Sequence, residues 1–415
     1  MSQYDFFDGC LLLPSQADLN QSTLDLPALP GVCLFSNDNN QPILLLYGAN
    51  LRSLVRRRLC DEADEEKNKR TRLRPVTTRL WFRRTYSPFE THLNYFNIAR
   101  EVYPKTYRDF FPRLDTWFIC LNRRDKYPFF ARTSAVKPNK QMQYWGPLPT
   151  KKSADLCLET LQNLFNLCRH PHLLEKAPHA NACSYAQMNR CAAVCDGTVS
   201  RQDYLELIDQ AANLLNQPLK NSIVHFQEKM NLLSKNLQFE QAQQQKEKIE
   251  LIKKFQSPAF SWFAPLDNFF ILAFLPGAKI KIPKSRSLCP TITPFLITPS
   301  RISQIESLPL DQAQQVATNL LDHLHLAKMQ STHQPLENHQ MELLAWTVHL
   351  LYKSDQQPRA LFLRADENLD VLRLTEKIIT CFTKKSDNNK QQNGKNLKLD
   401  NFNLTDNHEE RSNSC

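Results

Sequence analysis

A chain of 415 residues that is 41% hydrophobic is long enough for several separately cored domains, and its 52 Lys and Arg against 42 Asp and Glu leave a net charge of +10 that suits a polyanionic partner. No run of about 18 apolar residues occurs, which argues against a membrane-spanning helix. The start MSQYDFFDGC lacks the basic residues and long apolar core of an export signal, so a cytoplasmic location is expected, with the 12 Cys kept reduced.

In chain order, residues 1–28 read as a polar N-terminal leader. Across 29–110, GVCLF and PILLLYG are two strands joined by the polar turn SNDNNQ. NLRSLVRRRL then places Leu51, Leu54, Val55 and Leu59 on one helical face. A charged linker (DEADEEKNKRTRLR), a strand VTTRLWF and a helix around 88–101 complete this region. Residues 111–218 hold further strands ending in YWGPLP, a helix over 153–168, a Cys- and His-rich stretch, and a helix over 200–216 with Ser200 as its N-cap. Residues 219–254 predict a helical hairpin broken near Asn236. From Pro258 the runs FFILAFLP, KIKIP and PFLITP predict strands. Helices follow over 310–328 and 336–353, then a strand RALFLRA and a last helix to about 382, so 255–383 is a C-terminal α/β domain. The tail 384–415 cannot bury apolar surface and is expected to be disordered. The fold class is therefore α+β and multidomain.

Four thiols, Cys168, Cys183, Cys191 and Cys195, fall within 28 residues of a polar stretch, the last three in ACSYAQMNRCAAVCDG. Thiolates so spaced converge on one centre, either Zn²⁺ or an iron–sulfur cluster. His170, His172 and His179 lie between the first two and are able to replace a ligand.

The stretch YWGPLPTKKSADLCLETLQNLFNLC followed by ACSYAQMNRCAAVCDGTVSRQDYLELID resembles the segment after the nuclease domain in the UvrC family of bacterial excinucleases. That family has an FGPYP-like turn, a CLxYQIxRCxxPC-like run and an SxEEY-like helix start. The resemblance implies a [4Fe–4S] cluster on Cys168, Cys183, Cys191 and Cys195, with Zn the alternative; Val194 stands where the family has Pro. MNLLSKNLQFEQAQQQKEKIELI resembles the family's UVR helical hairpin. Its residues Leu232, Leu233, Leu237, Phe239, Ala242 and Ile249 make a small apolar seam that a two-helix unit buries poorly alone. The resemblance implies docking on the helicase subunit of the excinuclease, with Leu233, Leu237, Phe239, Glu240 and Ala242 at the interface.

The N-terminal region resembles a GIY-YIG nuclease domain. LPGVCLFSNDNNQPILLLYGANLRSLVRRRL, SPFETHLNYFNIAREVYPKTYRDFF and RRDKYPFF carry the match, and Gly31, Gly48, Gly146 and Gly197 fall at family Gly positions although only 7 Gly occur in the chain. Such a site needs a carboxylate-held Mg²⁺ or Mn²⁺, two Tyr near the attacking water and an Arg for the developing charge. Those four positions fall here on Tyr95, Cys33, Leu46 and Leu54, a degenerate set. A rearranged site would recruit Tyr47, Arg56 and Glu90 instead. The basic run from Arg52 to Arg84 offers Arg52, Arg56, Arg57, Arg58, Arg72, Arg74, Arg83 and Arg84 to DNA phosphates, interleaved with Trp81 and Phe82.

FAPLDNFFILAFLPGAKIKIPKS resembles the first hairpin of the family's central region. Residues 258–383 otherwise show neither an acidic triad nor Gly-containing DNA-binding hairpins; Asp267, Asp311, Asp322, Asp366 and Asp370 are scattered. The expectation is a DNA-binding protein of nucleotide excision repair that docks on the excinuclease's helicase subunit. An active structure- or lesion-selective endonuclease with a rearranged site, and a metal-cluster scaffold without a DNA role, stay open.

Overall fold

The computed structural model describes residues 4–13, 25–59, 73–112, 114–137, 141–217, 219–281, 288–330, 336–353, 359–365 and 369–383. Most of the charged linker, Arg72, Asp366 and the tail expected to be disordered lie outside the described residues.

The first sheet has the order β1-β4-β2-β3, from Gly9–Leu12 (β1), Gly31–Ser36 (β2), Pro42–Gly48 (β3) and Arg79–Arg84 (β4). β2 is buried along its whole length, as a central strand covered on both faces must be. Helix α1, Leu51–Leu59, covers one face with the predicted Leu51, Leu54, Val55 and Leu59. Its last turn carries Arg56, Arg57 and Arg58, where a cation meets the negative end of the helix dipole. Helix α2, Pro88–Val102, covers the other face through Tyr95, Phe96, Ile98 and Ala99. It starts where Ser87 accepts from the Glu90 amide and Pro88 sets the first turn. A β-carbon on Gly31 would sit 2.2 Å from the Arg83 carbonyl oxygen, so the pairing of β2 with β4 requires glycine there.

Part of the leader joins this sheet: Gly9–Leu12 pairs antiparallel with β4, and Tyr4, Phe6 and Phe7 pack against Trp81 and α2. Four residues of alternating half-burial are too short to reveal a period, which is why the sequence reads as a leader.

The second sheet has the order β6-β5-β7-β8: Trp117–Asn122 (β5), Phe130–Thr133 (β6), Met142–Leu148 (β7) and Ala264–Pro265 (β8). Helices α3, Lys151–Phe165, and α4, Arg201–Asn216, pack on it through Cys157, Leu161, Leu164, Tyr204 and Ile208. The buried polar tips are satisfied, Trp145 Nε1 donating to Asn216 Oδ1 and the Tyr204 hydroxyl to the Pro128 carbonyl. Ile252, Phe255 and Phe260 also enter this core, so residues just beyond the expected boundary at 254 belong to the middle domain.

Helices α5, Leu219–Lys235, and α6, Phe239–Lys253, form the expected hairpin, turning at Asn236–Gln238 with Leu237 at φ 58°. The C-terminal sheet is built on Ile271–Lys281 (β9) and Leu288–Ile297 (β10), extended by Ile302–Gln304 (β11) and Leu308–Pro309 (β12) beside β10 and by Leu361–Arg364 (β13) beside β9. FFILAFLP and KIKI, expected as two strands, run together in β9: Pro276 is tolerated beside a register shift between Pro290 and Ile292. One face packs on α7, Ala313–Gln330, and α9, Val371–Thr383; the other packs on α8, Asn338–Leu351, and on Phe89, Phe118 and Tyr144 of the two preceding domains. The C-terminal domain is thereby cored against both neighbours. Each such buried large apolar side chain contributes roughly 2 kcal/mol of burial.

Candidate functional site

The nuclease-like positions come together, but as packing. Cys33 and Leu46 are cross-strand partners on the face that α1 covers, and with Leu54 they belong to one apolar cluster. Full burial pushes the Cys33 thiol up to about 12, against a small opposing pull from Arg58, so it is a neutral core group. Tyr95 lies on the opposite face, buried 4.7 Å from the Tyr47 ring and 5.3 Å from Phe111.

The rearranged trio is not assembled. Tyr47 pairs with Val32 and packs on His92 and Tyr95 beneath α2, whereas Arg56 rides α1 on the other face. Glu90 is buried at the start of α2, where its carboxylate accepts from the Tyr86 amide at 2.8 Å. Burial raises its pKa more than that hydrogen bond lowers it. It acts as a helix-start cap.

The basic stripe is partly spoken for. Arg83 donates to the Phe6 carbonyl at 2.8 Å, Arg84 pairs with Asp8 at 3.0 Å, and Arg52 donates to the Leu26 carbonyl at 2.9 Å. Trp81 packs 5.2 Å from Tyr4, and Phe82 lies over Gly9. Trp81 and Phe82, the aromatics interleaved with these arginines, are thus covered by the N-terminal segment. Arg56, Arg57 and Arg58 stand at the C-terminal end of α1; Arg74 lies before β4 and Arg72 is outside the described residues.

The thiols gather where α3 ends. Asn166 terminates that helix in the left-handed region, and its carbonyl accepts from the Ala192 amide, which brings the loop carrying Cys191 and Cys195 back to Cys168. Cys168 and Cys191 act on each other: the pairing draws the Cys191 thiol down and, together with burial, pushes the Cys168 thiol up. Burial raises the Cys195 thiol, and the neighbouring Cys191 raises it further. Gly197, at φ 84°, closes the loop in a conformation that favours glycine. The donor set has the chemistry of a thiophilic centre, yet among the described residues no three His, Cys, Asp or Glu side chains converge closely enough to hold an ion. The arrangement is open.

The histidines between the first two Cys turn elsewhere. His170 lies tilted 5.7 Å from the Tyr185 ring and edge-on 5.6 Å from His172, while the Arg169 guanidinium lies 4.5 Å over the same Tyr185 ring. Sequence reasoning missed Tyr185 and Arg169; the signal was an aromatic and a cation flanking the Cys positions. In the hairpin the expected seam splits: Ala242 and Ile249 are buried, whereas Leu232, Leu237 and Phe239 are 59%, 74% and 62% exposed at the tip. Leu233 is half-buried and Glu240 exposed beside them. Among the described residues no helix is long and apolar enough to cross a membrane.

Comparison with known proteins places the middle domain. Residues 116–214 match the family described as UvrC/Cho excinuclease, middle domain. The UvrABC system protein C of Wolinella succinogenes is 30% identical over 162 residues, 39% of this chain and 26% of that protein. Those of Campylobacter jejuni and Neisseria gonorrhoeae are 26% identical over 271 residues (63% and 43% of the two chains) and 27% over 259 residues (60% and 39%). The chain thus spans between 26% and 43% of the length of these curated relatives. No solved structure matches. These matches make the chain a UvrC-like protein.

Proposed function

We propose that this UvrC-like chain is a DNA-binding component of nucleotide excision repair whose nuclease-like domain holds DNA without cutting it. The observation that supports this most is the packing of Cys33, Leu46 and Leu54 into one apolar cluster, with Tyr95 buried on the far side of the sheet. Hydrolysis of a phosphodiester by this type of site depends on a carboxylate-held divalent ion that orients water and takes up charge. A thiol, two aliphatic side chains and a buried phenol supply none of that. Binding needs less: a local excess of positive charge, of which the last turn of α1 carries Arg56, Arg57 and Arg58.

Cys168, Cys183, Cys191 and Cys195 would hold a [4Fe–4S] cluster or a zinc ion, which when bound supplies a cross-link between the end of α3 and the loop to α4. The amide of His170 lies 3.4 Å from the Cys168 sulfur and partly offsets the rise that Cys191 and burial impose on that thiol. The hairpin tip would dock on the excinuclease's helicase subunit through Phe239, Leu237 and Leu233, with Glu240 at the rim and Ala242 in the inner seam. Exposed apolar side chains on a two-helix unit find burial most readily against a second helix pair.

Fluorescence anisotropy of a labelled duplex across a salt series tests the DNA reading. Replacing Arg56, Arg57 and Arg58 together with Ala should weaken binding and flatten the dependence of log K on log salt by up to about 3, near 0.9 for each phosphate no longer neutralised. A wild-type chain without affinity for DNA overturns the reading.

A further inference from the structure

We propose that Arg169, His170, His172 and Tyr185 form a stacking site for unpaired bases of DNA, on the exposed side of the thiol-bearing loop. The site rests on the DNA-binding reading above and refines it from duplex phosphates to single-stranded nucleotides.

The rings adjoin in series: His172 stands edge-on to His170 at 5.6 Å, His170 is tilted by 47° to Tyr185 at 5.7 Å, and the Arg169 guanidinium lies over Tyr185 at 4.5 Å. Core aromatics of the same domain look different. Trp145 and Tyr204 are sealed, and their polar atoms are bonded. Here His172 is exposed, His170 and Tyr185 are half-exposed, and among the described residues neither imidazole nor the Tyr185 hydroxyl has a hydrogen-bond partner.

The cation is fixed in place and left charged. Arg169 donates to the Arg190 carbonyl at 2.8 Å and to Asn163 Oδ1, and among the described residues no carboxylate pairs with it. A guanidinium held in plane by two neutral acceptors over an aromatic ring presents its outer face for stacking. Arg190 and Lys176 are exposed on the same loop, and among the described residues neither is in an ion pair, so both are available to phosphates. Bases in a duplex are already stacked on one another, so a platform of this kind selects unpaired nucleotides.

The test uses the full chain with Tyr185→Ala and His172→Ala combined, and Tyr185→Phe as the conservative variant. Anisotropy is read on a labelled single-stranded oligonucleotide and on a duplex of equal length. The expected result is a loss of about 5- to 100-fold on the single strand for the double variant. Duplex affinity should stay as in wild type, and Tyr185→Phe should bind the single strand like wild type. Should the double variant fail to fold, photo-crosslinking of wild type to an oligonucleotide carrying 5-iodouracil is expected to label Tyr185 or His172. Single-strand affinity unchanged in the double variant, or crosslinks confined to other segments, overturns the platform alone. Wild type that binds neither DNA overturns the DNA reading with it.

Discussion

The nuclease-like sheet and the thiol-bearing loop answer the same question in opposite ways. In the sheet, the positions where reactive groups would stand hold Cys33, Leu46, Leu54 and Tyr95, and each is absorbed by packing. In the loop, Cys168 and Cys191 shift each other's thiols in opposite directions and a group of exposed and half-exposed rings stands beside them, an arrangement no apolar core demands. Side chains that serve only stability drift toward what fills space. A polar cluster persists where something beyond packing uses it, since its desolvation is costly.

The largest effect that would sharpen this contrast is expected at the thiols. Cys191→Ser should abolish the proposed metal or cluster binding, read by metal analysis and visible absorbance of anaerobically purified wild type and variant. Loss of such a centre costs on the order of 10 kcal/mol where it is structural, so the middle domain should melt well below wild type. Unchanged metal content would sink the ligand assignment. Next comes Leu54→Arg, which restores the cation of the family pattern. In a packed cluster with Cys33, Phe35 and Leu80 that charge has no partner, and unfolding by denaturant should show a loss of about 3 kcal/mol or more without any gain of cleavage. A tolerated Leu54→Arg would mean the sheet face is more open than its packing indicates.

Phe239→Asp should leave folding within about 0.5 kcal/mol of wild type, since the side chain is 62% exposed. It should abolish co-purification with the excinuclease's helicase subunit; retained binding would remove the hairpin tip from the interface. The smallest effect is at Glu90. Burial raises its pKa above the ordinary 4.5, so the folded chain holds that proton more tightly than the unfolded one. The stability it contributes is full below the unfolded value and is lost as pH rises through the folded one. Glu90→Gln keeps an acceptor for the Tyr86 amide, so it should gain up to about 1 kcal/mol at neutral pH and nothing in acid, read as melting temperature against pH. A Glu90→Gln variant less stable at neutral pH would show that the ionised form is the one the fold uses.

Much of this was legible in the residues. The four apolar positions of α1, both helices of the hairpin and the Ser200 cap follow from spacing and side-chain chemistry alone. What escaped was long-range. β1 has only four residues and finds its partner some 70 positions later, so no local pattern announces it; with it went the covering of Trp81, Arg83 and Arg84. The opposite faces of Tyr47 and Arg56 follow from strand alternation once the Val32–Tyr47 register is fixed, and that register depends on a tertiary pairing. The Tyr185 ladder needed the loop closed by the Asn166–Ala192 bond before its rings could meet.

The most direct test of the central contrast is a nicking assay with Mg²⁺ or Mn²⁺ on damaged and branched DNA. Wild type and Glu90→Ala are compared, and gel-shift binding is read on the same anaerobic samples. The account predicts a shifted band and intact strands for both proteins. Strand cleavage by wild type that Glu90→Ala abolishes would contradict it and identify a site rebuilt around that carboxylate.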